Sequence, residues 1–165
     1  MRKTPRKIII GVIGAGRASA TGEFVARRVG QLLAEQGAVL VCGGLGGVME
    51  AAARGCAEAG GDVIGVLPGM SAMTANPYVT LPIVTNMGHA RNVIIAHTAE
   101  ALIAIEGEYG TLSEMAIGLK LGKTVVQLGS WSDLPDTFTA ETPEQAVAIV
   151  MTAVKETETV SKEEK

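Results

Sequence analysis

The sequence predicts an α/β fold: a doubly wound, mainly parallel sheet with helices on both faces, in a single domain. Two observations carry that expectation. The runs IIIGVI, AVLVC, VIGVL and ALIAI are apolar at nearly every position, as strands buried on both faces are, whereas a sheet with one wet face would alternate. Between these runs lie segments whose apolar residues recur at helical spacing, the arrangement of successive βαβ units. Composition agrees. Of 165 residues, 47% are hydrophobic and 19% charged, enough apolar material for one buried core. The 21 glycines gather at the ends of the apolar runs and form no low-complexity tract of the kind that signals disorder.

The elements follow in order. A first strand covers Lys7 to Ile13. A helix runs from about Gly22 to Gln36, with Phe24, Val25, Val29, Leu32 and Leu33 on one face, and Gly37 closes it as a C-terminal glycine does. The second strand is Ala38 to Cys42, the second helix about Gly47 to Ala59, and the third strand Val63 to Leu67. A segment with three prolines, residues 68–82, has no period and reads as a surface connection or a lid carrying Met70 and Met73. Thr80 to Val84 is a short fourth strand, Gly88 to Thr98 a third helix, and Ala101 to Ile105 a fifth strand. Thr111 to Leu121 is a fourth helix and Thr124 to Leu128 a sixth strand. Pro143 opens a last helix ending near Lys155. The domain therefore spans 1–155, with 156–165 a charged, solvated tail.

Several classes of function are disfavoured. The net charge is −3, and one Trp, two Tyr and two Phe offer little surface for base stacking. With no basic stripe either, nucleic acid is not the expected partner. His89 and His97 have no Cys or His at ligand spacing, so no metal site is expected. No apolar run is long enough to span a membrane. Arg2, Lys3, Arg6 and Lys7 before the first apolar run, with Ala18-Ser19-Ala20 after it, have the outline of a secretory leader. Gly11 and Gly14 interrupt that run, Arg17 precedes the supposed cleavage site, and cleavage would remove the first strand. The expected location is the cytoplasm, with Cys42 and Cys56 a reduced, buried pair.

Glycine loops at three strand ends point to the site. Gly14-Ala15-Gly16 follows the first strand, Gly43-Gly44-Leu45-Gly46-Gly47 the second, and Gly107-Glu108-Tyr109-Gly110 the fifth. In an open parallel sheet all these ends lie on one edge, where ligands bind. Glycine lets backbone approach a ligand closely, and helix N-termini offer free N–H groups to an anion. The expected ligand is a phosphorylated small molecule held at Gly14, Gly16, Ser19, Gly43, Gly44, Gly46, Gly47, Gly107 and Gly110. A dinucleotide fold would place an acidic residue at the end of the second strand. Cys42-Gly43-Gly44 stands there instead, so the NAD reading fails. No Gly-Lys-Ser/Thr ends a glycine loop, which removes the P-loop reading.

Two charged residues complete the candidate site. Arg91 falls in the first turn of the third helix, where a cation is electrostatically disfavoured but a guanidinium can grip a phosphate or carboxylate with a two-pronged fork. Glu114 stands three residues after Thr111, the spacing of a capping box. It is either a helix cap or a ligand-facing carboxylate across a cleft from Arg91. Asn92, Arg17, Ser19 and Glu50 are lesser candidates.

The stretch GGLGGVMEAAARGCAEAGGDVIGVLPG, followed by ARN and GEYGTLSE, resembles the Lonely Guy-like superfamily, whose members were often mislabelled lysine decarboxylases. The similarity covers about residues 7–129. It points to the branch holding molybdenum cofactor carrier proteins and bacterial Rossmann-like nucleotide-binding proteins. The resemblance implies a Rossmann-like fold and a homodimer or homotetramer. It also implies either a carrier for a nucleotide or pterin cofactor or a phosphoribohydrolase, which cleaves the N-glycosidic bond of a nucleoside 5′-monophosphate without a cofactor. It places Arg91 and Glu114 at the catalytic positions of such enzymes and gives Gly110 and Thr111 to phosphate. Two departures separate the chain from the enzymes. Asn92 stands where they carry Lys, and Glu106 and Glu108 stand where they carry neutral residues. The binding or carrier role is therefore the first expectation and the phosphoribohydrolase the alternative.

Overall fold

The computed structural model describes residues 6–131 and 134–163; Arg2, Lys3 and the last two residues of the tail lie outside the described residues. The strands are β1 (Ile9–Gly14), β2 (Val39–Cys42), β3 (Val63–Leu67), β4 (Leu81–Val84), β5 (Ala101–Ile105), β6 (Thr124–Leu128) and β7 (Phe138–Thr139). The helices are α1 (Ala20–Glu35), α2 (Val48–Glu58), α3 (Arg91–Thr98), α4 (Tyr109–Lys120) and α5 (Pro143–Glu163). Every strand pair is parallel, in the order β4-β3-β2-β1-β5-β6-β7. The chain winds outward from β1 in one direction and then from β5 in the other. The sheet therefore has its switch point between these two neighbours, where Ile13 pairs with Ala104 and Gly14 with Ile105.

Helices cover both faces. Ala26, Val29 and Leu33 of α1, Val48, Ala52 and Cys56 of α2, and Ala146 and Val150 of α5 pack with Ile10, Val12, Leu40, Ile103 and Val126 of the strands. Ile95 and Ala96 of α3 and Met115 of α4 pack against the other face with Ile13, Val41, Leu102 and Ala104. Alternate residues of each strand thus enter opposite layers, as the pleat requires. That is why the strands are apolar throughout.

Four differences from the sequence expectations have local causes. First, α1 begins at Ala20 because Ser19 is its N-cap, accepting from the Gly22 N–H at 3.0 Å. Second, α4 begins at Tyr109, since Glu106 (φ 52°) and Gly107 (φ 108°) turn the chain early. Thr111 then lies inside the first turn and Glu114 deeper still. The capping box does not form, and the N-cap, Glu108, makes no side-chain cap bond. Third, α5 continues to Glu163 rather than ending near Lys155, with the Thr157 hydroxyl donating to the Ala153 carbonyl and the Thr159 hydroxyl to the Lys155 carbonyl, both at 3.0 Å. Fourth, β7 adds a two-residue edge strand that carries no apolar run long enough to read.

The proline-rich connection is pinned to the second glycine loop. Asn76 donates from Nδ2 to the Leu45 carbonyl at 3.0 Å and from its backbone to that of Gly44 at 2.8 Å. Its Oδ1 accepts the Tyr78 N–H at 3.1 Å. Met70 and Met73 point outward and are almost fully exposed.

Candidate functional site

A cavity of about 600 Å³ opens at the C-terminal ends of β1 and β2, beside the switch point. Its walls are Ile13, Gly14, Ala15, Gly16 and Arg17 from the first glycine loop, Gly43 and Met49, then His89, Arg91 and Asn92, and finally Glu108, Gly110, Thr111 and Glu114. The volume falls in the range of small-molecule sites. The cavity brings together eight of the residues expected from sequence: Gly14, Gly16, Gly43, Arg91, Asn92, Gly110, Thr111 and Glu114. It also takes in Arg17.

Ser19, Gly44, Gly46, Gly47 and Gly107 do not line it, nor does Glu50. Their places have structural reasons. Gly47 (φ 66°) caps α2, whose first residue Val48 donates to the Ala15 carbonyl at 2.9 Å. The later part of the second glycine loop thus packs against the first, and only Gly43 of that loop faces the cavity. Gly107 turns the chain over Thr111. Ser19 is committed to capping α1. Glu50 and Gly47 border a separate depression with Phe24 and Tyr78. Sequence reasoning missed Ile13, Ala15, Met49 and His89 as walls. The sequence offers His89 only as a metal-ligand type without partners, but in the fold it stands two residues from Arg91 in the turn that opens α3.

Arg91 is 8% exposed and Glu114 6%. The Arg91 Nε donates to the Val66 carbonyl at 2.9 Å, and its Nη1 donates to Asn92 Oδ1. Gly43 makes room for the guanidinium, since a Cβ there would stand 2.6 Å from Arg91 Nη2 and from Met49 Sδ. Asn92 in turn donates from Nδ2 to Ser113 Oγ at 3.2 Å and to the Gly110 carbonyl at 3.4 Å, tying the start of α3 to the start of α4. No ion pair joins Arg91 to Glu114 among the described residues. Both residues line the cavity.

Burial pushes the Glu114 carboxyl up to about 7, with Arg91 opposing the rise. Burial also pulls the Arg91 guanidinium below its ordinary value, with Glu114 opposing. Cys42 lies beneath the same wall, and burial raises its thiol to about 12; it is a packing residue and not a nucleophile. The arrangement offers a buried cation, the uncapped N-terminus of α4, and a carboxyl that titrates near neutrality. Together these suit an anionic ligand with a proton-transfer partner beside it. Glu108 adds an opposing charge on the rim.

A family model described as the SLOG cluster4 family matches residues 7–160. An uncharacterised protein of Archaeoglobus fulgidus is 50% identical over 138 residues, covering 84% of this chain and 91% of its own length. A probable cytokinin riboside 5′-monophosphate phosphoribohydrolase of Oryza sativa subsp. japonica is 36% identical over 99 residues. That match covers 58% of this chain and 40% of the rice protein. Among solved structures, the molybdenum cofactor binding protein of Rippkaea orientalis superposes with a TM-score of 0.85 at 36% identity, over 90% of this chain and 98% of that one. The molybdenum cofactor carrier protein of Chlamydomonas reinhardtii gives 0.84 at 36% identity, over 91% and 99%. The expected kinship with Lonely Guy-like and molybdenum cofactor carrier proteins holds on both sides.

Proposed function

We propose that this chain, which belongs to the SLOG cluster4 family, binds a phosphorylated, nucleotide-like small molecule in the cavity, a pterin cofactor of the molybdenum cofactor class before an ordinary nucleotide. One observation carries the reading. The buried Arg91 is held by Val66 and Asn92 against a wall that also contains the uncapped start of α4 at Gly110 and Thr111. A buried cation beside free helix N–H groups is stabilised by an anionic ligand. The names of the solved relatives from Rippkaea and Chlamydomonas support the cofactor class.

The residues present fit such a ligand. Gly16 meets no atom within 4 Å of where a Cβ would stand, so a ligand can lie flat against the loop. Arg91, Gly110 and Thr111 would hold the phosphate, and the apolar Ile13 and Met49 would lie under the ring system. Cys42 and Cys56 are free and buried, which suits the reducing cytoplasm. A homodimer or homotetramer is part of the same reading. Calorimetric titration with AMP and with the molybdenum cofactor tests it. Binding in the micromolar range is expected, falling about tenfold or more in Arg91→Ala, as loss of a charge-assisted contact implies. No binding of either ligand below millimolar would overturn it.

A specific observation favours a second reading. A carboxyl titrating at about 7 inside the cavity is poised to give a proton to a leaving base or to take one from water. Cleavage of an N-glycosidic bond passes through an oxocarbenium-like state that the ionised form would also stabilise. Chromatography of nucleoside 5′-monophosphates after incubation decides between the two. Base release that is lost in Glu114→Ala makes the protein a phosphoribohydrolase; its absence in folded protein leaves the binding role.

A further inference from the structure

The anion position at the start of α1 is already filled by the chain itself. Glu106 follows β5 with φ 52° and extends across the switch point to α1. Its Oε2 accepts the Ser19 backbone N–H at 3.1 Å, and its Oε1 accepts the Ser19 hydroxyl. Ser19 Oγ in turn accepts the Gly22 N–H. Gly22 is shaped to this carboxylate, because a Cβ there would stand 2.5 Å from the carboxyl carbon and one of its oxygens. The Ser130 hydroxyl holds the Glu106 carbonyl at 2.6 Å, fixing the residue from behind.

In dinucleotide-binding folds the diphosphate lies at the N-terminus of the helix after the first strand. From this geometry we propose that Glu106 is a specificity-determining residue, a built-in anion that closes the start of α1 to phosphate. The ligand's phosphate is thereby left to Arg91, Gly110 and Thr111, which line the cavity as Ser19 and Glu106 do not. A ligand carrying one terminal phosphate is accepted, and one needing a diphosphate across the switch point is rejected. This is independent of the missing acidic residue after β2, which spoke against NAD from sequence. The direction of the phosphate rests on the proposed binding role; the closure of α1 does not.

Amide chemical shifts of the 15N-labelled full chain, titrated with inorganic phosphate, test both parts separately. In the wild type the amides of Ser19 to Gly22 should stay still while those of Gly110 and Thr111 move. In Glu106→Ala and Glu106→Gln the amides of Ser19 to Gly22 should move as well, with apparent affinity there raised roughly fivefold or more, as expected when a charge leaves a helix N-terminus. If Glu106→Ala does not fold, Glu106→Gln, which keeps the shape and removes the charge, decides alone. Identical titrations of Ser19 to Gly22 in wild type and variants, moving or still, would overturn the proposal. Immobile Gly110 and Thr111 amides in the wild type would count against the binding role and leave the closure of α1 standing.

Discussion

At the residue scale, Glu114 was legible by position, but the choice between helix cap and cavity wall was not. The T-x-x-E spacing suggested a cap, yet the left-handed turn at Glu106 and Gly107 moves the helix start two residues upstream and buries Glu114 beside Arg91. Backbone conformation at a non-glycine residue leaves no mark in composition or period, so this shift was not readable. The consequence is testable through pH. In the unfolded chain the carboxyl titrates near 4.5, and in the fold near 7. Between those values the folded state holds a proton that the unfolded state has lost. Stability therefore falls as pH rises through that window and levels off above it. Glu114→Gln has no such proton. Its stability relative to wild type should rise by roughly 3 kcal/mol from pH 4.5 to above 7, measured by urea unfolding at pH 5 and pH 8. A difference that does not change with pH would show that the carboxyl is not desolvated.

At the scale of elements, the inner strands were read to within two residues because burial on both faces writes a continuous apolar run, whereas the two-residue edge strand β7 was not. Helix starts were read less well because they depend on caps and turns. Packing between α1 and α2 was not read at all. Gly30 lies on the Ala52 carbonyl, and Gly55 lies on the backbone of Arg27, where a Cβ would stand 2.7 Å from the carbonyl carbon. These two glycines let the helices touch backbone to backbone, which a single sequence cannot distinguish from glycine placed by chance. In an open helix Gly→Ala would stabilise by about 1 kcal/mol. Here the neighbour is main chain, which cannot rotate aside. Gly55→Ala should therefore cost about 1–3 kcal/mol, seen as a lower urea midpoint with an unchanged slope. A gain in stability would mean that the helices separate freely.

At the scale of the whole molecule, the wound topology was legible because parallel strands joined by helices permit few arrangements. The convergence of eight expected residues on one cavity follows from it. Self-association was implied by resemblance alone, and the structure offers a surface on which to test it. Leu81, Ile83 and Val84 of β4 are exposed, with Met87 and Val93 close behind in the chain. Addition of a strand to that edge is hindered, since Pro82 has no N–H to give. Covering these side chains therefore requires packing on their faces, and a second copy of the same apolar surface is the self-complementary way to do it. Sedimentation of the wild type at micromolar concentration should give a species of at least two chains. Ile83→Glu, at an exposed position that a monomer tolerates, should shift it to one chain while leaving the far-ultraviolet circular dichroism unchanged. A wild type that sediments as a single chain would end the dimer or tetramer reading, and the cavity would then have to bind its ligand within one chain.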